Sequence, residues 1–189
     1  MTRIDNDNFP SFALFETAVG RCAIVWRGDL IVGTHLPEAS DARTVAALAR
    51  RFPDARAATP PALVAAATAR IAAFLDGATD TFADLPLDLA SVSVWERRVY
   101  AAAQAIPAGS TTTYGAMAAG LGDARQAQAV GQALGRNPWP IVVPCHRITA
   151  ADGRTGGFSA PGGAVTKLRL LEIEGALSPD TLPLFGGVR

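Results

Sequence analysis

The residues best suited to chemistry in this chain are Cys145 and His146, adjacent in Ile141-Val142-Val143-Pro144-Cys145-His146-Arg147-Ile148. Only the thiolate of cysteine is a strong nucleophile, and an unperturbed thiol with a pKa of about 8.5 is mostly protonated at neutral pH. An imidazole that draws off the proton raises the reactive fraction. The bland reading of such a pair is a small core cysteine beside a chance histidine. Pro144 lacks a backbone donor and fixes its own φ. The β-branched run before it therefore reads as a strand that stops or bends at the proline and holds the thiol on a rigid segment. Glu172 is the candidate acid. On the last predicted helix Val165, Leu168, Glu172 and Gly175 share a row at spacings of three and four, expected to face inward. A carboxylate in an apolar setting needs a partner, and His146 is the one histidine after residue 91. Thiol, imidazole and acid would form a relay of the hydrolase-triad kind. A structural ion pair between Glu172 and an arginine is the competing reading.

The elements that must position these groups are legible in outline. Phe12–Thr17, Cys22–Trp26 and Leu30–Thr34 are apolar runs separated by Gly-containing turns, which predicts a small antiparallel meander. Thr44–Phe52 and Ala62–Leu75 are Ala-rich and helical, with Val64, Ile71 and Leu75 on one face of the second. Residues 79–91 read as a connector with a short strand at Leu85–Leu89. Ser93 and Glu96 form a capping box for a helix to Ile106, with Trp95, Val99, Ala102 and Ile106 on its buried face. A short helix at Thr113–Ala119 and a second at about Ala124–Arg136, capped by Asp123 with Gln126 in the reciprocal position, read as a helix-turn-helix. The second helix is Ala- and Gly-rich. That suits close approach to another surface, such as a shallow nucleic-acid groove, and equally an ordinary Ala-rich core helix.

The chain of 189 residues is 49% apolar, enough for a substantial core, and no apolar run reaches the roughly 18 residues of a membrane span. Its start, Met1-Thr2-Arg3-Ile4-Asp5, is not a secretory signal. Two distant cysteines give neither a disulfide framework nor a Cys-x-x-Cys site. A free thiol nucleophile wants a reducing compartment, so a cytoplasmic location is expected. Net charge is zero, but residues 1–91 carry −3 and residues 92–176 carry +3. The basic half is the one with the chemistry, as a nucleic-acid face requires. The division expected is 1–91, 92–176 and a mobile Pro/Gly-punctuated tail at 177–189.

Other segments frame the Pro-Cys-His-Arg core in order. They are Ile106-Pro107-Ala108-Gly109-Ser110-Thr111-Thr112-Thr113-Tyr114, Gly135-Arg136-Asn137-Pro138-Trp139-Pro140, Gly156-Gly157-Phe158-Ser159 and Leu168–Gly175. This set, from about Val92 to Ala176, resembles the O6-alkylguanine-DNA alkyltransferase family. The resemblance implies that Cys145 takes the alkyl group permanently as a thioether, once per molecule. His146 is then the base through a water, with Glu172 behind it. Asn137 would join the recognition helix to the active-site segment. Tyr114 would crowd the 3′ phosphate and donate a hydrogen bond as guanine leaves. Ser159 would lie near O6, with Phe158 in the pocket wall. The carbonyls of Cys145 and Ile148 would read the base's amino edge. Arg125, Ala127, Gln128, Ala129, Gly131 and Arg136 would face the minor groove of double-stranded DNA carrying an alkylated base flipped from the stack. The fold implied is α+β: an RNase H-like N-terminal half with the small antiparallel sheet, and a mostly helical, winged-helix-like C-terminal half. The protein is expected to be a monomer without cofactor. Cys22 and His35 alone cannot supply the four ligands of a structural zinc site, so no metal is expected.

Three departures bear on specificity. Gln128 stands where the family places an arginine that fills the gap left by the flipped base, and an amide lacks that charge and stacking plane. Arg125, three residues earlier, is a candidate substitute. Phe158 stands where tyrosine is common. Ser159-Ala160-Pro161-Gly162-Gly163 is longer than the usual loop ending. Beside single-turnover DNA repair of O6-alkylguanine, with O4-alkylthymine as a further substrate, three alternatives remain. They are a sensor that binds alkylated bases without repair, a thiol alkyl acceptor for non-duplex substrates, and a cysteine hydrolase.

Overall fold

The computed structural model describes residues 9–151 and 155–177. The strands β1 (Ser11–Phe15), β2 (Cys22–Arg27) and β3 (Leu30–His35) pair as the expected antiparallel meander. Helix α1 (Asp41–Arg51) starts at Ser40, whose side chain accepts the Arg43 N–H at 3.3 Å. The chain then adds β4 (Arg56–Ala57) parallel to β1, so the sheet is mixed, in the order β3-β2-β1-β4. Two residues are too few to show a period, and β4 has no counterpart among the expected elements. Helix α2 (Ala62–Leu75) buries Val64, Ala67, Ile71, Phe74 and Leu75. In the connector that follows, Leu87 makes a bridge to Ile31.

Helix α3 (Val94–Gln104) opens with the Ser93–Glu96 capping box. Val99, Tyr100 and Ala103 are its buried residues, while Trp95, Ala102 and Ile106 pack half-buried against the same core. Next come β5 (Thr112–Thr113) and α4 (Tyr114–Gly120), the latter capped by Thr113. The expected helix from 124 to 136 is two elements. A 3-10 turn at Ala124–Gln126 is capped by Asp123, and α5 (Ala127–Gly135) follows it. The strand β6 (Ile148–Thr149) runs parallel to β5, and α6 (Gly163–Ile173) closes the described chain. The tail assigned to 177–189 lies outside the described residues from 178 on.

The result is an α+β fold with one continuous core. Ile24, Ile31 and Phe74 from the first half join Val99, Trp139, Ile148 and Leu170 from the second. A smaller cluster of Ala23, Val25 and Leu48 includes residues of β2 and α1.

The segment before the thiol corrects an expectation. Ile141-Val142-Val143 is a buried turn, not a strand. The Val143 N–H donates to the Trp139 carbonyl at 2.8 Å, and Ile141 takes a φ of 80°. That region is costly for a β-branched residue, about 1–3 kcal/mol, and persists only where surrounding bonds enforce it. The run is apolar because it is buried, not because it is extended. The enforcing bonds come partly from β3. The Thr34 N–H donates to the Pro138 carbonyl at 3.0 Å, and its hydroxyl to the Pro140 carbonyl at 2.7 Å. The Trp139 indole donates to the Ile31 carbonyl at 2.8 Å. Gly33 permits this approach, since a Cβ there would lie 3.1 Å from the Pro138 carbonyl oxygen and 3.0 Å from the Phe52 ring.

Candidate active site

Cys145, His146 and Arg147 form a buried 3-10 turn after Pro144. Asn137 holds the turn in place. Its Oδ1 accepts the Trp139 N–H at 2.9 Å, and its Nδ2 donates to the Val143 carbonyl at 2.9 Å and to Cys145 Sγ at 3.4 Å. One short amide thus closes the loop at both ends and touches the sulfur. Gln104 on α3 donates to the Val142 carbonyl at 3.3 Å.

Behind the thiol, His146 is fully buried, with Nε2 at 2.6 Å from Oε1 of Glu174. The Glu174 side chain is 1% exposed and also binds Arg147, whose Nε lies 2.9 Å from Oε2 and whose Nη2 lies 2.9 Å from Oε1. Arg147 donates further to the Ile106 carbonyl at 2.5 Å. An ionised carboxylate at Nε2 fixes the proton on that nitrogen and leaves the lone pair on Nδ1. Among the described residues Nδ1 is buried without a hydrogen-bond partner.

This corrects the assignment of the acid. Glu172 is exposed and pairs with Arg169 at 2.7 Å, the structural ion pair that competed with the catalytic reading. The buried residues of α6 are Lys167, Leu170 and Leu171, and Glu174 continues their row just past the helix end. Val165, expected inward, is 69% exposed. The inward row was displaced by two residues because a lysine occupies a buried place on it. Lys167 was missed for the same reason. Its Nζ donates to the Ile148 carbonyl at 2.5 Å and sits 5.9 Å from the centre of the Tyr114 ring. Burial lowers its pKa to about 8.

The electrostatics favour a neutral resting pair. Burial raises the Cys145 pKa, against the lowering effects of the Asn137 hydrogen bond and the Lys167 charge. Burial lowers the His146 pKa, although its bond to Glu174 opposes this. Burial alone would raise the Glu174 carboxyl, but the bonds from His146 and Arg147 leave its pKa below the ordinary range. The site therefore holds a protonated thiol, a neutral imidazole and an ionised carboxylate.

Cys145 opens on a cavity of about 640 Å³ lined by Tyr114, Gln128, Gly131, Phe158 and Ser159 among others. Tyr114 donates to the Gly157 carbonyl at 3.2 Å, and burial raises its pKa. Gly156, at a φ of 69°, lets the loop pass the ring, since a Cβ there would lie 2.9 Å from it.

A sequence profile described as the 6-O-methylguanine DNA methyltransferase DNA-binding domain matches residues 94–176. A methylated-DNA–protein-cysteine methyltransferase from Mycolicibacterium paratuberculosis is 42% identical over 125 residues, which are 66% of this chain and 73% of that protein. The chain belongs to this methyltransferase family. A DNA base-flipping protein of Thermus thermophilus is also 42% identical, over 57% of this chain and 70% of its own. The crystal structure of Mycobacterium tuberculosis OGT in complex with DNA superposes with a TM-score of 0.68 at 30% identity, covering 92% of this chain and 98% of that one. The chain spans 64% to 73% of the length of curated relatives bearing the methyltransferase name.

In this member of the methyltransferase family the other expected site residues are placed as follows. Ala127 lines the cavity with Gln128 and Gly131. Gly131 does not need to be glycine for Tyr114, as a Cβ would stand 3.7 Å from that ring. The Ala129 carbonyl accepts the Trp95 indole N–H at 3.4 Å. Arg136 is drawn to Glu96 at 2.7 Å. Arg125 folds back on Asp123 at 3.0 Å, from the 3-10 turn rather than from α5. It therefore does not share a helical face with Gln128, and it is not among the residues lining the cavity. Ile148 is buried, and its carbonyl already accepts the Lys167 ammonium. Cys22 lies in the core strand β2, and His35 is 3.4 Å from Glu38. Among the described residues no helix is long and apolar enough to cross a membrane.

Proposed function

We infer that this protein repairs alkylated DNA by moving the alkyl group from guanine O6 to Cys145, irreversibly and once per molecule. One observation carries the reading: His146 has Nε2 held by a buried, ionised Glu174 and Nδ1 unpartnered, and the adjacent thiol faces a cavity large enough for a base. The names of the relatives support it.

In the mechanism Nδ1 takes the thiol proton, directly or through one water. Glu174 stabilises the imidazolium that forms, and Lys167 favours the thiolate by its charge. The thiolate attacks the alkyl carbon, the S–C bond forms and the O6–C bond breaks. Guanine leaves with the bonding pair. Tyr114, which keeps its proton because its pKa is raised, is the hydroxyl within the cavity wall that can give up Gly157 and donate to the departing base. Since the resting thiol is neutral, the nucleophile is generated only as the reaction proceeds, which limits loss to adventitious electrophiles.

The target atom is stacked inside a duplex, so the nucleotide enters the cavity by rotation out of the helix. We assign the α4–α5 pair as the reader of the minor groove in a winged-helix-like half, with the N-terminal sheet as its RNase H-like companion, in a monomer. Gln128 at the cavity edge favours a second reading, in which the alkylated base is better accepted from single strands than from duplex.

The test is the intact mass after incubation with excess O6-methylguanine duplex. A gain of one methylene confined to Cys145, absent in Cys145→Ser, supports transfer. Tight binding without a mass gain selects a sensor, and release of product with turnover selects a hydrolase.

A further inference from the structure

A second cavity of about 330 Å³ shares Cys145 and Ser159 with the first and lies where the two halves of the chain meet. Its walls come from His35 of β3, Arg51 at the end of α1, Arg136 after α5, and Pro140. The two cavities thus converge on the sulfur. In a displacement at carbon, the attacked carbon lies between Sγ and O6, and the rest of a longer alkyl group must go sideways into open space.

The charge on this space is uneven. Arg136 is neutralised by Glu96 at 2.7 Å, and His35 faces Glu38 at 3.4 Å. Among the described residues no carboxylate lies within ion-pair distance of Arg51, whose recorded partner is the Phe52 ring at 5.4 Å. Crowding costs this cation solvation, since burial lowers its pKa. An under-solvated cation without a counter-charge, at the edge of a cavity that reaches the nucleophile, fits an anionic ligand.

We propose that this second cavity receives the tail of O6-alkyl groups ending in a carboxylate, with Arg51 as the residue that sets the preference. The inference rests on the alkyl-transfer reading above. The chemistry balances as for methyl: the S–CH2 bond forms, the O6–CH2 bond breaks, the thiol proton passes to His146, guanine departs with the electron pair, and S-carboxymethylcysteine remains. A carboxylate beside the reacting carbon repels an incoming thiolate, and a nearby guanidinium offsets that repulsion.

The experiment measures single-turnover rates for three duplexes carrying O6-methylguanine, O6-carboxymethylguanine and O6-carbamoylmethylguanine, the last a neutral isostere. The full chain is compared with Arg51→Gln. Loss of one charge at a few ångströms in a partly solvated site should slow the carboxymethyl substrate about tenfold. The methyl and carbamoylmethyl rates serve as the control for folding and should stay within about twofold. Equal slowing of all three would show that Arg51 contacts DNA phosphate or supports the fold, and would overturn the proposal. So would an unchanged carboxymethyl rate, or a wild-type protein that accepts methyl but not carboxymethyl. Failure to transfer methyl at all would sink the alkyl-transfer reading itself, and this proposal with it.

Discussion

Replacing Glu174 by glutamine keeps the shape of the side chain and removes one acceptor and one charge. In the native site both carboxylate oxygens are acceptors: Oε1 for His146 Nε2 and Arg147 Nη2, and Oε2 for Arg147 Nε. A carboxamide has one acceptor and one donor group, so its NH2 must face one of two partners that are themselves donors. If it faces His146, the ring must change tautomer and Nδ1 can no longer accept the thiol proton. If it faces Arg147, the base survives, but the imidazolium loses its charge-assisted bond. The second case is the milder, at about 2 kcal/mol, which is roughly 30-fold in rate. Arg147 is also left as a buried, uncompensated charge, which should cost about 3 kcal/mol of stability. Glu174→Gln is thus expected to slow methyl transfer at least about 30-fold and to lower the urea midpoint. Adding Arg147→Met should restore much of the stability without restoring the rate. Glu172→Gln, at an exposed ion pair, should change neither quantity by more than about 0.5 kcal/mol. Single-turnover rates on an O6-methylguanine duplex and urea unfolding read out both. The reasoning is refuted if Glu174→Gln transfers at the wild-type rate while folded, or if Glu172→Gln is the slow variant.

Three further outcomes are expected. Because His146 stays neutral in the folded protein below its ordinary pKa, the unfolded chain binds more protons as pH falls below about 6.5, so stability should decline through that window. Glu174, with its pKa depressed, should add to the acid loss only as pH falls below the ordinary carboxylate range of about 4.3 and through its folded value. The transfer rate should stay flat through pH of about 6.5; a half-drop there, as for a free imidazole, would contradict the buried neutral base. Asn137→Ala removes three buried hydrogen bonds and should cost roughly 2–3 kcal/mol and slow transfer about tenfold, measured by unfolding and single-turnover rates. Gln128→Arg should speed transfer from duplex about tenfold by supplying a stacking cation and leave single-strand transfer unchanged; equal or slower duplex rates would exclude that role for position 128.

The nucleophile and its base were legible because two reactive residue types stand side by side within an ordered set of flanking motifs. Asn137 and Tyr114 followed from the same set. The strands β1 to β3 and helix α2 were legible from apolar period alone. The acid was not, because the phase of α6 depends on which polar residue is buried, and Lys167 looks like a surface residue until its carbonyl partner is known. The signal was present in Leu170 and Leu171, which with Lys167 and Glu174 make a row at helical spacing. The Ile141-Val142-Val143 run misled in another way: burial and extension select the same residue types, and only the bonds to Trp139, Asn137 and Thr34 show the turn. Arg125 was misplaced because a 3-10 turn and an α-helix differ little in composition but rotate side chains differently.

The hydrogen bonds from Ile31 and Thr34 to the loop around Trp139 make the N-terminal half more than an appendage. A fragment beginning at residue 92 would carry every motif and still have an indole N–H and two proline carbonyls stripped of their partners. Its thiol would then hang from a slack hinge. The part that reads lesions and the part that looks dispensable were evidently selected as a single tool.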